Sequence, residues 1–166
     1  MTDRKLIVDG YSVLHFWPRL RKLAGRSLPQ QRDALLAVLR QYSDATGWQI
    51  TVVFDGYAAK HKPEHPDPTP GLTVIFSDAG KTADDVIERM VATAERPGNI
   101  TVITSDNLER RTVETLGAQS TSCELFEREI TDALGELARL IREHSRPRRL
   151  GSLRRQLEGD PRQRRG

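Results

Sequence analysis

The residues of this chain best placed to do chemistry are acidic, and each lies just beyond a short apolar run. Asp9 ends Lys5-Leu6-Ile7-Val8, and Asp55 follows Thr51-Val52-Val53-Phe54. The pair Asp84-Asp85 comes after Val74-Ile75-Phe76, and Asp106 after Thr101-Val102-Ile103-Thr104-Ser105. β-Branched runs without polar alternation mark parallel strands buried on both faces. The carboxyl ends of such strands share one edge of an open α/β sheet, where ligands bind, so these carboxylates are expected to converge. Clustered carboxylates repel and raise one another's pKa unless cations separate them. Hard divalent ions with oxygen ligands remove the conflict, and Mg2+ or Mn2+ at such a site suits phosphodiester chemistry.

The elements that must carry these residues follow from pattern and punctuation. Val13 to Leu23 reads as a short helical or irregular passage. Ser27-Leu28-Pro29-Gln30 has capping-box form with Pro in the first turn, and Leu35, Leu36, Val38, Leu39 and Tyr42 give the inner stripe of a helix ending near Gly47. Strands are expected at Gln49–Phe54, Leu72–Phe76, Asn99–Thr104 and Gln119–Ser122. Between the second and third, Gly56 to Gly71 contains Pro63, Pro66, Pro68 and Pro70 and reads as a long loop at the active edge. Thr82 is placed to cap a helix bearing Val86, Ile87, Met90 and Val91, with Asp84 and Asp85 in its first turn, where the helix dipole favours negative charge. A further helix spans Leu108 to Leu116. The last runs from about Glu124 to His144 on the stripe Phe126, Ile130, Leu134, Leu137 and Ile141.

With 166 residues the chain suits one ordinary domain, expected over 1–145, and a flexible Arg-rich tail over 146–166. The net charge of +3 divides unevenly: the tail carries +6 and the body −3. An acidic body with a basic extension fits an enzyme that needs cations in its site and holds a polyanion by other means. A single cysteine, Cys123, excludes an internal disulfide, and no apolar stretch reaches membrane-spanning length. A cytoplasmic protein without a small-molecule cofactor or a membrane partner is the expectation.

Four segments together are similar to a known family. Asp9-Gly10-Tyr11-Ser12, Phe54-Asp55-Gly56, Thr82-Ala83-Asp84-Asp85-Val86-Ile87-Glu88 and Thr104-Ser105-Asp106-Asn107 resemble the motifs of the YacP-like NYN domain, a branch of the PIN-like metal-dependent ribonucleases. The resemblance runs in order from Lys5 to about His144. It implies a PIN-like three-layer α/β/α fold with a mainly parallel central sheet, and divalent-metal endonuclease activity on RNA. It also implies association with the ribosome and cleavage of mRNA there, by in-line hydrolysis that leaves a 5′-phosphate and a 3′-hydroxyl.

Carried over by position, the resemblance makes Asp9, Asp85 and Asp106 the metal ligands and sets Asp84 and Ser12 beside them as catalytic residues, with Asp55 and Glu88 as support. Ser12 departs from the family motif, which carries Asn there; a hydroxyl is shorter and offers one donor where the amide offers two. Tyr11 and Tyr57 are candidates for stacking on RNA bases, whereas Phe16 and Trp17 suit core or lid packing better. Lys60, Lys62, Lys81, Arg110 and Arg111 are candidate phosphate contacts. His15, His61 and His65 read as surface or packing residues. The competing reading is an NYN-fold module that binds RNA or the ribosome with little or no activity, for which Ser12 is the argument. A phosphatase or receiver domain is disfavoured by the lack of DxD on strand one, and dinucleotide binding by the lack of G-x-G-x-x-G.

Overall fold

A computed structural model of the chain describes residues 3–56 and 69–145. The chain divides into two compact units, Met1–Gly135 and Glu136–Gly166. In the first, a five-stranded sheet has the order β3-β2-β1-β4-β5, every neighbouring pair parallel. Its strands are β1 (Lys5–Asp9), β2 (Gln49–Phe54), β3 (Leu72–Phe76), β4 (Ile100–Ile103) and β5 (Gln119–Thr121). The helices are α1 (Gly10–Phe16), α2 (Pro18–Arg21), α3 (Leu28–Thr46), α4 (Ala83–Ala92), α5 (Asn107–Thr115) and α6 (Cys123–Ser145), whose final residues, from Glu136, belong to the second unit.

Alternation along the strands divides the core in two. Leu6, Val8, Ile50, Val52, Phe54 and Ile103 face one way, with Leu35, Leu36 and Leu39 of α3 and Phe126 and Ile130 of α6. Ile7, Val53, Ile100 and Val102 face the other, with Ile87 and Val91 of α4 and Val113 of α5. A sheet covered on both faces can spend every strand position on apolar contact, which is why its strands read as unbroken hydrophobic runs. The expected three-layer α/β fold is therefore present, and its sheet is wholly parallel rather than mainly so.

The chain leaves β1 towards β2 and β3 on one side and reaches β4 and β5 on the other, so strand order reverses beside β1. That switch point is where an open α/β sheet leaves a crevice, and Asp9 stands at its end. The passage after β1 is more regular than the sequence suggests: α1 starts directly at Gly10, with Asp9 as its cap. So abrupt a turn needs a bare backbone. A Cβ on Gly10 would stand 2.2 Å from the Phe54 ring, which is fully buried between Tyr11 and Phe76 and cannot swing away. Gly10→Ala is therefore expected to destabilise the fold by about 1–3 kcal/mol, the ordinary cost of overpacking, measured by urea unfolding; an unchanged midpoint would show that the ring yields.

The other expected elements lie within a residue or two of their observed bounds. Gln30 accepts from the Ser27 amide at 3.2 Å to start α3, and Gly47 ends it in the left-handed conformation at φ 73°. Trp17 is a core residue whose indole donates to the Cys123 carbonyl at 2.8 Å, whereas Phe16 is 55% exposed. Of the expected long loop, residues 57–68, with Tyr57, Lys60, His61, Lys62 and His65, lie outside the described residues, as does the tail 146–166. Among the described residues, no helix is long and apolar enough to cross a membrane.

Candidate metal centre

Asp9 is set by its neighbours before any ligand arrives. The Ser12 hydroxyl donates to Asp9 Oδ2 at 2.7 Å, and the Ser12 amide points to Oδ1 at 3.4 Å. The Ser105 hydroxyl donates in turn to Ser12 Oγ at 3.0 Å. Thr104, wholly buried at the end of β4, places its hydroxyl 3.5 Å from Asp9 Oδ2 and accepts from the Asp106 amide at 3.2 Å. A chain of hydroxyls thus ties the ends of β1 and β4 and fixes the rotamer of Asp9, as supporting hydrogen bonds do around metal ligands.

Ser12 itself thus makes the shortest of the bonds that orient the Asp9 carboxylate. Ser12→Ala is expected to weaken divalent-metal affinity by about 10- to 100-fold, the usual loss when a ligand's supporting bond is removed. Ser12→Asn should stay within about tenfold of the parent. Calorimetric titration with Mn2+ measures both; equal affinity in Ser12→Ala would remove Ser12 from the site.

Asp84 and Glu109 approach Asp9 from the opposite layer. One carboxylate oxygen from each of the three lies within 4.8 Å of the others. Glu109 sits in the first turn of α5, yet it is only 2% exposed while its neighbour Leu108 is 73% exposed. Neither Glu109 oxygen makes a properly directed hydrogen bond. Burial pushes its pKa up to about 8; the nearby Thr104 hydroxyl offsets part of the rise, and the charges of Asp84, Asp9 and Asp106 add to it. Asp84 is raised as well, first by burial and then by Asp9 and Asp106, with the neighbouring Glu109 carboxyl acting the other way. Burial thus favours the protonated form of Glu109 at neutral pH, and a bound cation would favour its ionised form.

Three carboxylates with no thiolate or imidazole form a donor set for a hard cation. A buried carboxyl whose oxygens lack partners is the feature such an ion would satisfy, since its ionised form is costly in the interior until a counter-charge is beside it. The residues present therefore fit a divalent ion.

Asp85, expected as a ligand, stands elsewhere. Its carboxylate accepts from the Thr82 amide at 2.8 Å, and its own amide donates to Thr82 Oγ1 at 3.2 Å. These bonds, with Lys81 and Arg89 nearby, hold its pKa below the usual range on a fully exposed side chain. Asp106 is the exposed cap of α5, accepting from Leu108 at 2.7 Å and Glu109 at 3.4 Å; its charge is felt by both Asp84 and Glu109. It borders the cluster rather than joining it.

Asp55 is half-buried at the end of β2, outside the cluster. Glu88 lines a groove with Lys81, Asp85, Arg89, Thr112 and Leu116 and adds a little to the rise of Asp84. Of the expected phosphate contacts, Lys81 and Arg111 are exposed, while Arg110 is committed to Ser120 Oγ at 3.0 Å. Tyr11 packs its ring 5.2 Å from that of Phe54. The Cys123 thiol is buried and pushed up to about 12, first by burial and next by the charge of Asp9, so it is neither nucleophile nor ligand here.

Glu109 was not among the expected site residues, although a signal for it exists: it precedes the buried Val113 by one helical turn and so shares its inward face. A parallel α/β sheet with carboxylates gathered at its switch point defines a class of acidic-centre domains. Within that class, the chain belongs to the YacP-like NYN domain family, whose sequence model matches residues 6–163. The uncharacterized protein YacP of Bacillus subtilis is 31% identical over 138 residues, covering 82% of this chain and 81% of that protein. The crystal structure of Rae1 (YacP) from Bacillus subtilis superposes with a TM-score of 0.74 at 29% identity, covering 91% of this chain and 87% of that one. A mutant of the same protein gives 0.73 at 28%, covering 92% and 89%.

Proposed function

We propose that the protein is a divalent-metal-dependent endoribonuclease in which Asp9, Asp84 and Glu109 hold Mg2+ or Mn2+. The observation that carries this reading is the buried, unbonded carboxylate of Glu109 beside Asp9 and Asp84, within a family whose members are typically nucleases. A divalent ion bound there supplies water activation and neutralises charge on phosphate oxygens. Ser12 and Thr104 hold Asp9 in one orientation, Asp84 and Glu109 would complete the set of carboxylates around the ion, and Asp106 contributes negative charge at the rim. Asp85 keeps α4 correctly started, which points Asp84 inward.

RNA, and mRNA on the ribosome, is the substrate and partner we assign from family membership. The Arg-rich residues 146–166, with their charge of +6, suit affinity for a polyanion rather than chemistry. The test is incubation of the protein with naked RNA and with translating ribosomes, in Mg2+, in Mn2+ and in chelator. Metal-dependent cuts leaving 5′-phosphate and 3′-hydroxyl ends are expected. RNA binding without cleavage under every metal condition would instead identify a binding module, the reading that the serine at position 12 favours.

A further inference from the structure

Arg32 is a charge that the fold turns inward and that the metal chemistry does not use. On α3 it precedes the buried Leu35, Leu36 and Leu39 by three, four and seven residues, so its side chain leaves the helix on the core face. The guanidinium carbon stands 5.3 Å from the centre of the Phe76 ring and 5.9 Å from that of Phe54. Nη1 donates to the Tyr11 hydroxyl at 3.4 Å. Phe54 and Phe76 are register partners and the last residues of β2 and β3, while Tyr11 lies two residues beyond Asp9. Arg32 is thereby fixed at the carboxyl edge of the sheet, the edge that carries the carboxylate cluster.

The ion pairs among the described residues use Arg128 and Arg139 and no other cation. Arg32 is half-buried, has no carboxylate partner there, and makes a single long hydrogen bond from a group with five donors. None of its nitrogens is among the buried side-chain atoms that lack a partner. A planar guanidinium immobilised on aromatic faces has already lost its rotamer freedom and presents a fork that matches a phosphate. On an edge dominated by negative charge, an unpaired fixed cation is also what a phosphodiester backbone requires in order to approach.

We propose that Arg32 is a phosphate-binding residue that grips an RNA phosphodiester adjacent to the one cut; this rests on the RNA-cleaving reading above. The experiment measures binding of a short RNA to the uncleaving Asp9→Asn protein across a salt series, with Arg32 retained or changed to Gln or Lys. Arg32→Gln is expected to weaken binding by about tenfold or more and to flatten the slope of log K against log salt by about 0.7, one phosphate contact on a single strand. Arg32→Lys should keep the slope. RNAs carrying one neutral methylphosphonate in turn at each position identify the contact. With Arg32 present, one position loses affinity, and with Gln the same position becomes indifferent.

Unchanged affinity, slope and methylphosphonate profile in folded Arg32→Gln would overturn the proposal and leave Arg32 a packing residue over Phe54 and Phe76. Should Arg32→Gln not fold, Arg32→Met takes its place: loss of the methylphosphonate effect at that one position upholds the contact, and an unchanged profile overturns it. Failure of the nuclease reading looks different. The wild type would then cut no RNA with any metal, while the change in slope on removing Arg32 would persist.

Discussion

Glu109→Gln and Asp84→Asn are each expected to lower metal-dependent RNA cleavage by about 100-fold or more, ~2.7 kcal/mol at the transition state, whereas Asp85→Asn should lower it no more than about threefold. The first two remove ligand charge from a cluster whose oxygens lie within 4.8 Å of one another. The third removes only a carboxylate that closes the capping box with Thr82, and its effect should appear in melting temperature instead. Asp9→Asn belongs with the first pair. Since each of the three neutral variants relieves repulsion or burial of charge, none should be less stable than the parent in chelator at alkaline pH. Cleavage rates at saturating Mn2+, with melting curves in chelator, decide the matter. Equal loss in Asp85→Asn and Glu109→Gln would mean that the buried cluster is not the site.

Stability without metal should fall as pH rises, which is unusual for a carboxylate. Glu109 has its folded pKa raised to about 8, against about 4.3 for an unperturbed Glu. Between those values the folded protein binds more protons than the unfolded chain, so unfolding free energy declines with pH. The contribution of Glu109 is present in full below the unfolded pKa, is lost progressively up to about pH 8, and changes no further above that. Asp84, raised by burial, acts in the same direction. Asp85, lowered, acts oppositely but is fully exposed, so solvent screens it.

Melting temperature in chelator should therefore drop from acid towards pH 8, and Glu109→Gln should remove most of that drop. Saturating Mg2+ should abolish it in the parent, because loading displaces the proton. Identical pH profiles for parent and Glu109→Gln would contradict the assignment.

The strands were legible because a sheet covered on both faces leaves no choice but apolar residues, and Asp9 because the run simply stops at it. Motif position alone does not distinguish Asp84 from Asp85. Helix phase separates them: Asp84 precedes the buried Ile87 and Val91 by three and seven residues, whereas Asp85 precedes the exposed Arg89 by four. The same phase places Glu109 with Val113 and Arg32 with Leu35, Leu36 and Leu39. Each is a charge on an apolar stripe, where burial makes it costly. What no spacing rule conveys is that α4 and α5 lie side by side, so that residues 84 and 109 meet at Asp9. That convergence depends on where strand order reverses, and it is written in the tertiary packing of Ile87, Val91 and Val113 rather than in any local pattern.

The most direct measurement is anomalous diffraction from crystals of the protein grown with Mn2+. A peak bounded by the carboxylates of Asp9, Asp84 and Glu109, lost in Glu109→Gln crystals, is the expected result. Manganese held by Asp85 away from Glu109, or a Glu109 carboxylate left without any ion at concentrations that support cleavage, would contradict the account.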